Sequence, residues 1–157
     1  MKLHTAFTSI TTALLLGSGA AYADTCMPIG GVGMPNLSPQ VDGSIRITAP
    51  LMGSFSAASG TITAQRKTKT GLEMDLNHYF INDKGGFFHT TDHAVLSKVK
   101  EGDSHYMIEI TYQIDDGSTS GVLDGYRGSF NSYGLVDLSN LEGVVRYSGE
   151  ICKSVNL

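Results

Sequence analysis

The chain is written in two-residue alternation. Between positions 105 and 115, Tyr106, Ile108, Ile110, Tyr112 and Ile114 share one face, while His105, Glu109, Thr111, Gln113 and Asp115 share the other. That is the period of a strand with one face buried. Positions 72–80 repeat it: Leu72, Met74, Leu76, His78 and Phe80 lie opposite Glu73, Asp75 and Asn77. Short runs at 44–48, 52–57 and 60–65, rich in β-branched or small residues, read as further strands broken by Pro50 and by Ser59-Gly60. Residues 86–99 read as one long strand in which neither face is cleanly apolar, so a bulge is expected there. Residues 133–138 and 143–152 complete the series. Turn formers fall where hairpins need them, at Asn82–Gly86, Glu101–Asp103, Asp116-Gly117, Asp124-Gly125 and Ser139-Asn140. No helical stripe occurs beyond the first 23 residues. The pattern predicts a single all-β domain of about eight strands over residues 44–157.

Eight antiparallel strands in one small domain form either a sandwich or a closed barrel. The glycines favour the barrel. Gly121, Gly125, Gly128, Gly134, Gly143 and Gly149 crowd the segment expected to hold the last three strands. A sheet closing at small radius needs the sharp coiling that glycines permit, whereas an open sheet gains nothing from them. The only two cysteines, Cys26 and Cys152, stand near the two ends of the chain. A barrel sets its first and last strands side by side, so a Cys26–Cys152 disulfide is expected in an oxidising compartment, two free thiols being the alternative.

The start of the chain determines which compartment to expect. Lys2, the apolar run at 6–19 and Ala21-Tyr22-Ala23 make the three parts of a signal peptide cleaved after residue 23. The apolar run is too short to serve comfortably as a membrane anchor, which takes about 20 residues. The protein is therefore expected to be exported, to the periplasm or beyond. Residues 24–43, with several Gly and Pro and no apolar period, read as an extended leader lying over the body. The formal net charge is −4, and the first 23 residues hold one lysine and no acid, so the mature chain is more negative still. Nucleic acid is excluded as a partner because no basic stripe exists; the "QRKTK" cluster at 65–69 reads as a solvated turn.

One segment carries a resemblance. "GVLDGYRGSFNSYGLVDL", with Gly125-Tyr126-Arg127-Gly128 followed by Gly134 and Leu135-Val136-Asp137-Leu138, resembles a glycine-led segment of the allene oxide cyclase and dirigent-like barrels. "YQIDDGSTSG" before it, and "GTITA" near the start, are similar to strands and turns of the same barrels. The resemblance covers about the last fifty residues. It implies an eight-stranded antiparallel barrel whose lumen holds a small apolar molecule, in some members as a homo-oligomer and as a cofactor-independent cyclase or radical-steering protein. The matched motif builds the fold and does no chemistry, so no catalytic residue is carried over.

The residues themselves offer few chemical constellations. His89 and His93 would share a metal one turn apart on a helix. On a strand they lie roughly 13 Å apart, too far for one ion. His78 interrupts an apolar face: it is either a hydrogen-bonded core histidine or a polar anchor or general acid/base in an apolar lumen. Tyr106, Tyr112 and Tyr147 either line the same cavity or fill a small core, each hydroxyl needing a partner. No nucleophile elbow, phosphate loop or zinc-protease motif occurs, and no cofactor is called for. Three readings stand. The first is a binder of a small hydrophobic or phenolic molecule through His78, Tyr106, Tyr112 and Tyr147. The second is a cyclase or isomerase using the same lumen, and the third is an interaction or inhibitor module.

Overall fold

The structure is a computed structural model that describes residues 23–155, with side chains from 25 to 153; the expected signal peptide, except for its last residue Ala23, lies outside the described residues. Strands β1 (Ala23–Gly33) and β2 (Asn36–Pro39) are followed by β3 (Ile45–Gly53), β4 (Ala57–Lys67) and β5 (Gly71–Ile81). Then come β6 (Phe87–Lys98), β7 (His105–Ile114), a single 3-10 turn at Gly121–Leu123, β8 (Ser129–Asp137) and β9 (Glu142–Val155). Every neighbouring pair is antiparallel, and β1 closes the circle by pairing with β9 on one side and β3 on the other. This is the closed barrel that the alternation and the glycines predict. Among the described residues no helix is long and apolar enough to cross a membrane.

The segment read as a leader is a stave of the wall. β1 pairs with β9 from Ala23↔Val155 to Gly33↔Val145, and β2 continues the line against β3 from Asn36↔Thr48 to Pro39↔Ile45. Its glycines and prolines hide the period, because proline donates nothing and glycine shows no face. At the interruption between β1 and β2, Met34 N–H donates to the Pro50 carbonyl and Gly143 N–H to the Pro35 carbonyl. Those bonds hold the stave continuous. Pro50 therefore does not end β3; it sits at an exposed position where only its carbonyl is used.

Other boundaries moved for local reasons. The strand expected at 52–57 is broken: residues 54–56 form the turn between β3 and β4, which swings Phe55 into the barrel end, where it is 2% exposed. β6 runs in unbroken register against β5 and β7, with no bulge; the register shift falls instead between Ile62 and Ala64 on β4. Of the six glycines, Gly121, Gly125 and Gly128 lie in the β7–β8 connection with positive φ, and Gly134, Gly143 and Gly149 lie within strands. Gly134 illustrates the close approach: a Cβ there would run into the Val144 carbonyl of the neighbouring strand.

Inward faces fill the lumen. Ile108, Ile110, Tyr112 and Ile114 of β7 are all buried, as are Met74, Leu76, His78 and Phe80 of β5. An eight-stranded barrel is just wide enough for such side chains to meet across it. One end, where β1 begins, β9 finishes and the 3-10 turn lies, is plugged by Phe55, Phe80, Phe88, Phe130 and Tyr147, with ring centroids 5.2 to 6.1 Å apart. Leu123 of the 3-10 turn is 2% exposed beside this plug. Each such ring, fully buried, stabilises the fold by about 2–3 kcal/mol. At the same end the disulfide Cys26–Cys152 joins two residues directly opposite each other on β1 and β9.

Candidate functional site

Four adjacent strands carry a polar belt across the middle of an otherwise apolar lumen. β5 supplies His78, β6 Thr90 and Asp92, β7 Tyr112, and β8 Ser132; all five side chains are buried. Register brings them together. Leu76 stands opposite Asp92 and His78 opposite Thr90, which makes Asp92 the diagonal neighbour of His78, and Asp92 in turn stands opposite Tyr112. Diagonal pairs on one face of a sheet lie within reach of long side chains.

Two hydrogen bonds order the belt. His78 Nδ1 lies 2.6 Å from Asp92 Oδ2, with the two side chains 5% and 0% exposed. Tyr112 Oη lies 3.0 Å from Ser132 Oγ. The His78 ring meets the edge of Tyr112 at 5.5 Å and tilts against Phe80 at 5.9 Å, so its plane is fixed by packing as well as by the carboxylate. Burial pushes the Asp92 carboxyl above its ordinary value, while the hydrogen bond and charge of His78 pull the other way with less force. Burial likewise pushes the Tyr112 phenol upward, so it stays a neutral hydroxyl. Asp92 Oδ1 and Thr90 Oγ1 are buried, and neither has a hydrogen-bond partner among the described residues. A lone buried acceptor of this kind costs about 1–3 kcal/mol and marks a place where the fold gives up stability.

Beside the belt lies an internal cavity of about 60 Å³. Aliphatic side chains make most of its wall, among them Ile47, Met74, Leu96, Ile108, Ile110 and Val136, with Ala49 and Ala58 leaving room. Its half-exposed rim is formed by Pro35, Leu37, Leu51 and Leu138. His78, Tyr112 and Tyr147 are the lining residues that carry polar side-chain atoms. Asp92 takes up Nδ1 of His78, and Nε2 makes no hydrogen bond among the described residues. An imidazole oriented in this way has one ring nitrogen left to meet a polar group.

The four expected site residues separate. His78, Tyr112 and Tyr147 line the cavity; Tyr106 does not. It is half-buried at the opposite end of β7 from Tyr112, bordering a surface pocket with Lys67, Thr68, Leu72 and Lys98. Tyr147 has a structural tie as well. Its Oη accepts a hydrogen bond of 3.1 Å from the Phe55 amide, which pins the β3–β4 turn into the barrel end. Gly60 stands opposite His78 on β4, and a Cβ there would meet the imidazole, so glycine makes the space the ring occupies.

His89 and His93 both face outward from a regular β6 and share no site. His93 Nδ1 lies 3.1 Å from Asp75 Oδ1, and Arg66 lies 2.7 Å from the other oxygen of Asp75. Hydrogen bonds from Arg66 and then His93 hold the Asp75 carboxyl well below the usual carboxylate range. The basic cluster at 65–69 is thus partly neutralised in place.

Asp92, Thr90 and Ser132 are the residues sequence reasoning missed. A signal for Asp92 existed: Phe88, Thr90, Asp92, Ala94 and Leu96 are in phase along β6, and both ends of that series are strongly apolar. Ser132 gave none, because a small hydroxyl in a glycine-rich strand looks solvent-facing. The chain matches no family model, no curated protein and no solved structure.

Proposed function

We propose that the protein is exported and that its lumen takes up a small hydrophobic molecule, with His78 as the polar anchor. The observation that carries this reading is the cavity of about 60 Å³, apolar on nearly every side and bordered by a histidine that a buried carboxylate orients. Pockets of this composition, mostly greasy with one or two placed polar groups, are the common form of small-molecule sites. The resemblance of residues 121–138 to allene oxide cyclase and dirigent-like barrels supports the same use of the lumen. Export is supported by the signal-peptide pattern at 1–23 and by the disulfide.

Size narrows the ligand. An apolar cavity of about 150 Å³ accommodates benzene, so this space admits the end of a slender aliphatic chain more readily than a phenolic ring. A ring enters only if Leu37 and Leu138 at the rim swing aside. A second reading, acid/base catalysis of an isomerisation, rests on the 2.6 Å contact between His78 and Asp92. It requires turnover in addition to binding.

The test is thermal unfolding of the purified protein with a series of n-alkanols and with phenol, read beside native mass spectrometry. Alkanols are expected to raise Tm, and Ala58→Val, which fills space beside the cavity, to cut that affinity about tenfold while leaving the fold intact. A wild-type protein that no probe stabilises and that carries no retained molecule overturns the proposal. Conversion of a retained molecule, abolished by His78→Gln, decides for catalysis over plain binding.

A further inference from the structure

The outer wall carries a feature that neither the lumen nor the barrel's own packing uses. Along β7, β8 and β9 the pairings Met107↔Leu135 and Leu135↔Val144 set three apolar side chains in one row on the outside. The adjacent row is Glu109, Tyr133 and Arg146, set by Glu109↔Tyr133 and Tyr133↔Arg146. Met107, Tyr133 and Val144 are each about half exposed, at 52%, 51% and 51%, on strands whose buried positions already satisfy the core. Contiguous apolar surface of this kind on a small protein marks a docking site. Among the described residues neither Glu109 nor Arg146 takes part in an ion pair. They stand two strand spacings apart, roughly 10 Å, with Tyr133 between them, and so do not meet each other.

The pattern is complementary to itself. Turn a second copy by half a revolution about an axis lying along β8. Tyr133 and Leu135 then face their own counterparts, Met107 faces Val144 of the second copy, and Glu109 faces its Arg146, twice over. Opposite charges placed evenly to either side of one strand are what an isologous contact needs; an unrelated protein would impose no such symmetry. A lipid surface would favour a basic rim, and here an acid occupies the row. We propose that the outer face of β7, β8 and β9 is the interface of a two-fold dimer of this chain, with Tyr133 and Leu135 on the axis and Glu109 paired to Arg146 across it.

Sedimentation of the purified protein at micromolar concentration tests this, with thermal unfolding as the check that each variant folds. Wild type is expected to dimerise. Glu109→Arg and Arg146→Glu should each raise the dimer dissociation constant about tenfold or more, by setting like charges face to face. The double variant Glu109→Arg/Arg146→Glu should return to within about threefold of wild type, since it restores the pairing with the signs exchanged. A wild type that stays monomeric, whatever else it captures, overturns the proposal. So does a dimer indifferent to the single charge reversals, or a double variant no tighter than the singles. None of these outcomes bears on the lumen, whose test turns on Ala58 and His78.

Discussion

A carboxylate at position 92 stands among phenyl rings and aliphatic side chains with a single partner, and this sets how the protein responds to acid. Because the Asp92 pKa is raised in the fold, folding favours its protonated form. The stability from that preference is complete below the unfolded value, about 3.9, and is lost as pH rises through the higher folded value. Asp92→Asn keeps the shape without the charge. It should match wild type in Tm below about pH 4 and exceed it at neutral pH, the gap opening as pH rises. A variant less stable than wild type at neutral pH would mean that the ion pair with His78 outweighs the burial of the charge. His78 was legible as a candidate because it breaks an otherwise apolar face. Asp92 is less conspicuous, because its sequence neighbours Thr91 and His93 are polar, and only Phe88, Ala94 and Leu96 in its own phase mark the face as buried.

Among the elements, the interrupted stave β1–β2 carries the largest topological burden, since it alone joins β9 to β3. Gly31 is where that joint is tightest. A Cβ there would run into the Met52 carbonyl on β3 and the Tyr147 hydroxyl reaching across from β9. Gly31→Ala must therefore push β1 outward or dislodge Tyr147 from the Phe55 amide, and it should cost about 2–4 kcal/mol, read as a lower urea midpoint. Alanine at Gly43, where nothing lies near a Cβ but φ is +85°, should cost less, since only local strain opposes it. The strands with clean alternation were plain in the sequence: β5 and β7 bury the faces expected of them. The stave was not, because its partners are chosen across the closed sheet and its own residues carry no apolar period. Phe55 was likewise read as strand, and only the demand for a plug at the barrel end turns it inward.

The barrel as a whole is closed by pairing between its first and last strands. Cys26 and Cys152, 126 residues apart in sequence, bridge two strands that pair along the whole of β1, from Ala23↔Val155 to Gly33↔Val145. By chain entropy a crosslink spanning so long a loop stabilises by about 5 kcal/mol. Double replacement Cys26→Ser/Cys152→Ser should therefore lower the unfolding free energy in urea by several kcal/mol. The secondary structure should survive, since the ladder between β1 and β9 remains. A variant as stable as wild type would show that this ladder alone closes the barrel. Long-range pairing of this kind also predicts slow refolding once the bridge is absent, because the ends must find each other unaided.

Local order was settled by the sequence itself. The side-chain period, the turn residues and the spacing of glycines dictate an all-β chain that coils tightly, and two cysteines at its ends fit a closed seam. Those are properties of neighbours, and steric limits on each residue enforce them. The tertiary structure alone decided which polar groups meet. Register between strands brings His78 to Asp92, Tyr112 to Ser132 and Tyr147 to Phe55, and it aligns Glu109, Tyr133 and Arg146 on the outer wall. Register depends on the summed fit of every strand around a closed ring, and no local segment contains that sum.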